Sequence, residues 1–284
     1  MIVAAVVVTY NRKELLLKNL KALLQQSYQP GKIFVIDNAC TDGTKNYLEH
    51  HGLFLHSQIE YVRLEENTGG AGGFSEGIKR AYEAGADWIW GMDDDAFPQD
   101  NALETLVQKC HHDPQACYWS NCDRDQTGFF HGIKIVDSWM FVGFFLNRDV
   151  IRNVGYPRKD FFIYHDDFEY AKRIISHGYA IKKVQDSLVE HDGGAIQTQN
   201  WSRKILKWTV TFPQLPDWKV YYLTRNRILS FSFSEIGKYR SYIGVIRKIA
   251  WPLLLTNPRQ LPMFIKGYVH GIIGKSGKVI LPSS

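Results

Sequence analysis

At 284 residues, with 45% hydrophobic and 22% charged residues, the chain has enough apolar content to bury a large core. That balance, without any low-complexity tract, excludes an intrinsically disordered protein. The net charge of +5 hides an asymmetry: residues 201–284 carry 14 Lys and Arg against only Asp217 and Glu235, so the first 200 residues are acidic by seven charges.

The chain opens on a β-branched and alanine run, Ile2 to Thr9, which reads as a strand buried on both faces. This run is too short for a signal peptide and lacks a basic lead, so none is expected. Leu16, Leu20, Leu23 and Leu24 recur at helical spacing up to the Pro30-Gly31 turn. Lys32 to Asp37 is a second strand, and Thr41-Asp42-Gly43 opens a second helix towards His50. Ile59 to Leu64 is a third strand, Phe74 to Ala84 a third helix, and Asp87 to Met92 a fourth strand. Four strand–helix alternations predict an α/β domain with a mostly parallel central sheet, in which ligands gather at the carboxyl ends of the strands. Thr9, Asp37, Asn67 and Asp93-Asp94-Asp95 all fall at or just past such ends.

Beyond Asp95 the alternation breaks down. Ala102 to Cys110 reads as a helix, followed by strand-like runs at 116–120, 129–136 and 138–146 and a short helix over 148–154. Asp166-Asp167-Phe168-Glu169 starts a helix reaching Ser176, and residues 179–184 and 187–191 read as strands. Gly193-Gly194 marks a break. The expected division is therefore a domain over 1–195 and a mainly helical extension over 196–284, which is basic and holds 13 aromatic residues. An anionic surface is one fit to such a tail, and a solvated helical face the other. No apolar run of about 20 residues exists, so no membrane span is expected. Cys40, Cys110, Cys117 and Cys122 match neither a zinc pattern nor CxxC, and read as free thiols of a reducing compartment.

Asp93-Asp94-Asp95 is the sharpest chemical feature. Three consecutive carboxylates repel one another, and a divalent cation such as Mn²⁺ or Mg²⁺ relieves that repulsion and can bridge a diphosphate. An exposed acidic turn before Pro98 is the alternative. In Asn67 to Phe74, four glycines within five positions let a backbone approach a ligand, with a helix N-terminus behind them for phosphate. Gly70, Gly72 and Gly73 are accordingly candidate donor contacts, although a flexible connection would need the same residues. Asp166, Asp167 and Glu169 sit where a helix dipole favours ionised carboxylates, for capping or for general-base work. His191 alone reads as structural. Arg225 and Arg227 could contact phosphate or cap a helix.

In combination, Val7 to Arg12, Asp37 to Gly43, Asp93 to Asp95 and His165 to Glu169 resemble the family 2 inverting glycosyltransferases over roughly residues 1–195. The resemblance implies a GT-A fold, a nucleotide-diphospho-sugar transferase architecture. Asn67 to Phe74 with the acidic triad looks most like bacterial galactofuranosyltransferases, which use UDP-galactofuranose. Rhamnosyltransferases using dTDP-rhamnose share much of the pattern. By this resemblance Thr9, Arg12, Asp37 and Asn67 hold the nucleoside, Asp93 and Asp94 approach the donor, and Asp93, Asp95 and His191 hold the metal. Asp167 is then the base that deprotonates an acceptor hydroxyl, with Asp166, Glu169 and Arg225 as further phosphate or acceptor contacts. The implied acceptor is a glycan or glycolipid at the cytoplasmic face of the plasma membrane, where the basic aromatic tail would meet anionic lipid.

Two other classes compete with this reading. A non-catalytic nucleotide-sugar or glycan-binding protein would not need Asp167. A nucleotidyltransferase would need a glycine-bearing phosphate loop after the first strand, where Tyr10 to Glu14 has none. Nothing in the acidic body supports nucleic-acid binding.

Overall fold

The computed structural model describes residues 1–191, 199–231 and 235–281. The chain divides into two compact units, one of Met1–Arg158 with Tyr170–Gly194 and the other of Lys159–Glu169 with Ala195–Ser284. The expected boundary at 195 and the Gly193-Gly194 break lie outside the described residues. Nothing in the sequence marks Lys159–Glu169 as part of the second unit.

In the first unit β1 (Val3–Thr9) is buried along its whole length, as its unbroken apolar pattern requires. Helix α1 (Lys13–Leu24) turns Leu16, Leu17, Leu20 and Leu23 inward. Next come β2 (Lys32–Asp37), α2 (Thr44–His50), β3 (Ile59–Arg63), α3 (Gly69–Glu83) and β4 (Trp88–Asp93). These four strands lie in the order β3-β2-β1-β4 and all pair in parallel. A short β5 (Ala96–Pro98) and α4 (Ala102–His112) lead into β6 (Cys117–Asn121), β7 (Ile133–Val136), β8 (Phe144–Asn147) and α5 (Arg148–Val154). Helix α6 (Asp166–Ser176) precedes the long β9 (Ile181–His191).

The sheet continues β4-β8-β6-β9-β5, with β7 also on β9. Within this half β6 and β9 are parallel, while β8 runs against both β4 and β6, and β5 and β7 run against β9. The sheet is thus mixed rather than mostly parallel. The two runs foreseen at 179–184 and 187–191 are a single strand.

The glycine segment is the largest local departure. It does not precede α3; it forms its first turns. A Cβ at Gly73 would stand 2.5 Å from Val8 Cγ1, and one at Gly72 would collide with Thr68. A Cβ at Gly77 would overlap Val6 Cγ1 and stand 3.0 Å from Ile36 Cγ1. Gly73 and Gly77 let α3 lie close on β1 and β2, while Gly72 leaves room for the Thr68 side chain. Only Gly70 of the three expected donor contacts faces open space.

The second unit begins its described tail with a hairpin, β10 (Asn200–Ile205) and β11 (Trp208–Pro213), which the helical expectation did not include. Helices α7 (Asp217–Leu229), α8 (Glu235–Val245), α9 (Trp251–Thr256) and α10 (Leu261–Ile272) complete it, with a π-helical turn, Ile246–Ala250, joining α8 to α9. Val220, Ile228, Val245, Ile249, Leu253 and Phe264 form its core. No helix among the described residues is long and apolar enough to cross a membrane.

Replacing Gly77 with Ala gains about 1 kcal/mol of helix propensity and loses about 1–3 kcal/mol to overpacking between two buried strands. With the contact to Val6 shorter than any ordinary Cβ approach, the loss is expected at the upper end, so the net result is a lower urea midpoint, with destabilisation of up to about 2 kcal/mol. An unchanged or higher midpoint would show that α3 is not held this tightly to the sheet.

Candidate active site

In the first unit, parallel registry brings the polar strand ends together. Thr9 pairs with Asp37, and Val8 with Asp93, so the residues just past β1 and β4 meet beyond the same sheet edge. Thr9 Oγ1 donates to Asp94 Oδ2 at 2.6 Å. The Arg12 guanidinium spans two carboxylates, Nη2 lying 2.6 Å from Asp94 Oδ1 and Nη1 2.8 Å from Asp95 Oδ2. His191, the last residue of β9, is brought here by the β5–β9 pairing, in which Ala96 faces His191. Its Nε2 lies 3.4 Å from Asp95 Oδ1.

Thr9 and Asp94 are both buried and bonded to each other, so their side chains brace the turn. Arg12 is tied to the acidic triad. Asp37 is also fully buried, accepting from Cys40 N at 2.6 Å, from Arg63 Nη1 at 2.9 Å and from the Tyr61 hydroxyl. Sequence reasoning missed Tyr61 and Arg63, which lie on the neighbouring strand and carry no motif. It also missed Asn38, which accepts from Thr68 N at 2.8 Å and donates to Gly69 O at 2.9 Å. Asn67 accepts from Gly69 N at 2.8 Å, capping the same entry to α3.

Asp93, Asp95 and His191 each offer a ligand atom, all within 4.8 Å of one another. Among the described residues Asp95 Oδ1 is buried and receives no well-formed hydrogen bond, only the 3.4 Å ion contact with His191 Nε2, and a cation bound there would satisfy it further. Two carboxylates and an imidazole are a donor set able to hold a divalent cation, the carboxylates being of the kind that suit Mn²⁺ or Mg²⁺. The residues therefore fit a divalent cation. Asp93 keeps some accessible surface, yet the atoms packed around its carboxyl exclude most water. Burial first, then the charges of Asp95 and Asp94, push it well above the ordinary carboxylate range. Burial also raises Asp94, to about 6, against the pull of Arg12 and Thr9. Burial would raise Asp95 as well, but His191 and Arg12 outweigh it and hold that carboxyl below its usual value. His191 is in turn raised, chiefly by Asp95.

The second unit holds the other candidate carboxylates. Asp166 and Asp167 open α6, and Asp167 Oδ1 accepts from Phe168 N at 2.6 Å. Burial raises both carboxyls, and the neighbouring charges of Asp167 and then Glu169 raise Asp166 further. Glu169 is buried, with its N–H bonded to His165 O at 2.9 Å. His165 is pushed down to about 4 by burial and then by Arg227. Arg225 is fully buried, and its guanidinium donates to three backbone carbonyls. Arg227 is half-buried, and its Nε has no partner among the described residues.

The family model for glycosyl transferase family 2 matches residues 4–169, more than half of the chain. The chain belongs to that family. Its members are inverting glycosyltransferases, and this chain is accordingly an enzyme of that class. It is 28% identical to Galactofuranosyltransferase GlfT1 of Mycobacterium tuberculosis, over 97% of both chains. It is also 28% identical to the GlfT1 of Mycolicibacterium smegmatis, over 62% of this chain and 66% of that protein. Among solved structures it resembles the mannosyltransferase PcManGT of Pyrobaculum calidifontis in complex with GDP-Man and Mn²⁺. That match has TM-score 0.56 and 17% identity, covering 98% of this chain and 76% of the other. TarS of S. aureus with UDP matches with TM-score 0.54 and 13% identity, over 88% and 71%. Likenesses at this level establish the GT-A fold.

Replacing Arg12 with Met leaves Asp94 and Asp95 without their guanidinium. Because Arg12 is itself partly exposed, the expected destabilisation is about 2 kcal/mol, below the range for fully buried pairs. Thermal melts should show the loss in metal-free buffer and a partial recovery when Mn²⁺ is added. A variant as stable as the parent without metal would mean that Arg12 is not the counter-ion.

Proposed function

We propose that this family 2 enzyme transfers galactofuranose from UDP-galactofuranose to a hydroxyl of a lipid-linked bacterial cell-surface glycan, in a metal-dependent reaction. The observation that carries the metal is the Asp93–Asp95–His191 cluster, with an Asp95 oxygen that receives no well-formed hydrogen bond. The likeness to Galactofuranosyltransferase GlfT1 over nearly the whole chain supports the donor.

Asp93, Asp95 and His191 hold Mn²⁺ or Mg²⁺, which when bound supplies positive charge to the departing diphosphate. Asn67, Gly70 and the buried Asp37 network shape the nucleoside side of the site. Thr9 and Asp94 keep Arg12 in place beside the triad. Asp167 accepts the proton of the acceptor hydroxyl as its oxygen bonds to the anomeric carbon. The bond from that carbon to the diphosphate breaks on the opposite face, UDP leaves with the bonding electrons, and the anomeric configuration inverts. Arg227, with its unpartnered Nε, takes the phosphate-contact role in place of the buried Arg225.

The test is release of UDP with Mn²⁺ or Mg²⁺ from UDP-galactofuranose, with dTDP-rhamnose run in parallel and a lipid-linked glycan as acceptor. Asp167→Asn is expected to lower kcat by about 10²–10⁴-fold. A base must be ionised to accept a proton, and burial raises Asp167. Activity should therefore fall with decreasing pH at a value above the ordinary carboxylate range, which lies at about 4. Turnover of dTDP-rhamnose instead would keep the mechanism and replace the donor. Nucleotide binding without turnover of either would favour a binding protein.

The tail adds a membrane reading. Along the helical run from α8 to α9, Ile243, Ile246, Trp251 and Leu254 are exposed at helical spacing, beside exposed Arg247 and Lys248. Helix α10 exposes Ile265, Val269 and Ile272 beside Lys266. Apolar stripes flanked by cations suit an anionic bilayer surface without a span, and support an enzyme working at the inner face of the plasma membrane. Sedimentation with phosphatidylglycerol vesicles at low salt should exceed that with phosphatidylcholine. Replacing both Arg247 and Lys248 with Ala should cost about 2 kcal/mol of that binding. Equal sedimentation with both lipids would remove the electrostatic part of this reading.

A further inference from the structure

The segment leading into Asp166 and Asp167 has an unusual backbone. Phe162, Tyr164 and His165 have φ of 67°, 67° and 62°, in the left-handed region that side chains with a Cβ avoid. Three such residues within four positions persist only if their surroundings impose the conformation, and such runs gather at functional sites. None is glycine, so the local sequence does not favour this path by itself.

The imposing groups lie on α7. Asn226 is fully buried, and the two N–H groups of its amide Nδ2 serve three carbonyls, one bond being shared: Phe161 O at 2.8 Å, Ile163 O at 2.7 Å and Tyr164 O at 3.1 Å. One amide thus gathers the carbonyls on both sides of the left-handed turns. Arg225 completes the arrangement. Its Nε donates to Asn226 Oδ1 at 2.8 Å, and its Nη2 to Asp160 O at 3.2 Å and Phe161 O at 3.1 Å. Its Nη1 donates to Gly277 O at 2.6 Å, and Gly277 N donates back to Asp160 O at 2.7 Å. A guanidinium can only donate, so its bond to Oδ1 fixes which way the Asn226 amide faces. The NH₂ group is left aimed at the loop. Phe162 is held from the other side by Tyr222 and Trp218, its ring centroid 5.0 Å from that of Tyr222.

We propose that Arg225 and Asn226 are positioning residues, holding residues 161–165 in a left-handed path so that the start of α6 presents Asp167 to the acceptor hydroxyl. This rests on the reading of Asp167 as the base. The pair acts through Asp167 and touches no substrate. Without it, the strained residues relax towards extended or right-handed backbone, and the first turn of α6 loses its fixed direction.

The test uses the full chain with UDP-galactofuranose, Mn²⁺ and the lipid-linked acceptor, and compares Asn226→Ser, Arg225→Lys and Asp167→Asn. Asn226→Ser shortens the donor and abolishes the three-carbonyl grip. It should lower kcat by about 10–100-fold, while the UDP dissociation constant, measured by calorimetry, changes less than about twofold. Arg225→Lys, which keeps the charge but not the bond that orients the amide, should fall between it and the parent. Adding Tyr164→Gly to Asn226→Ser should recover part of kcat, because glycine adopts the left-handed conformation without help. A purely architectural defect would worsen when a glycine is added.

Parental kcat in Asn226→Ser overturns the proposal. So does a joint collapse of melting temperature, UDP affinity and kcat in both Asn226→Ser and Arg225→Lys, which would make the pair general scaffolding. If Asp167→Asn keeps its activity while Asn226→Ser loses it, the base assignment fails and the clamp serves another group on the segment. If Asp167→Asn is inactive and Asn226→Ser is not, only the clamp fails.

Discussion

Three carboxylates in sequence at the end of a buried strand cannot all remain charged without a positive partner, and much of the first unit is arranged around that constraint. Arg12 spans Asp94 and Asp95, Thr9 donates to Asp94, and His191 faces the one Asp95 oxygen left without a hydrogen bond. Asp94 is spent wholly on this internal bracing, and Asp95 shares in it through Arg12 while also facing His191. Asp94 and Asp95 are buried while Asp93 keeps accessible surface, although the three residues are identical in type.

The first half of the fold was legible because its signals are local and repeated. An all-apolar strand, a helix with leucines at 3- and 4-residue spacing, and polar residues at strand ends predict a parallel sheet with a site at its edge. The β3-β2-β1-β4 order has that form. The region beyond β4 was less legible because its antiparallel strands are short and set by pairing across the sheet. The hairpin of residues 200–213 escaped for a related reason: Trp201, Arg203, Lys204 and Trp208 are exposed and give no clean alternation to read.

The site was legible in residue type more than in role. Asp93, Asp95 and His191 do come together, although His191 alone carried no signal and entered only through the family resemblance. The density of the glycines is legible in the sequence, but not that a Cβ at Gly73 would meet Val8 or that one at Gly72 would meet Thr68. Arg225 was noticed for its charge, yet its partners are carbonyls from residues 160, 161 and 277, a relation that no linear spacing encodes. Asn226 stood beside it unremarked, since a neutral amide draws no attention until its three acceptors are seen.

The spacing of the acidic triad's partners also bears on how the protein is made. Thr9 and Arg12 bond carboxylates 82 to 85 positions further on, so they leave the ribosome well before the groups they partner. By the time Asp93-Asp94-Asp95 emerges, β1 and the guanidinium just beyond it are already available for β4 to dock against. The nascent chain thus has a counter-ion ready for charges that would otherwise resist burial.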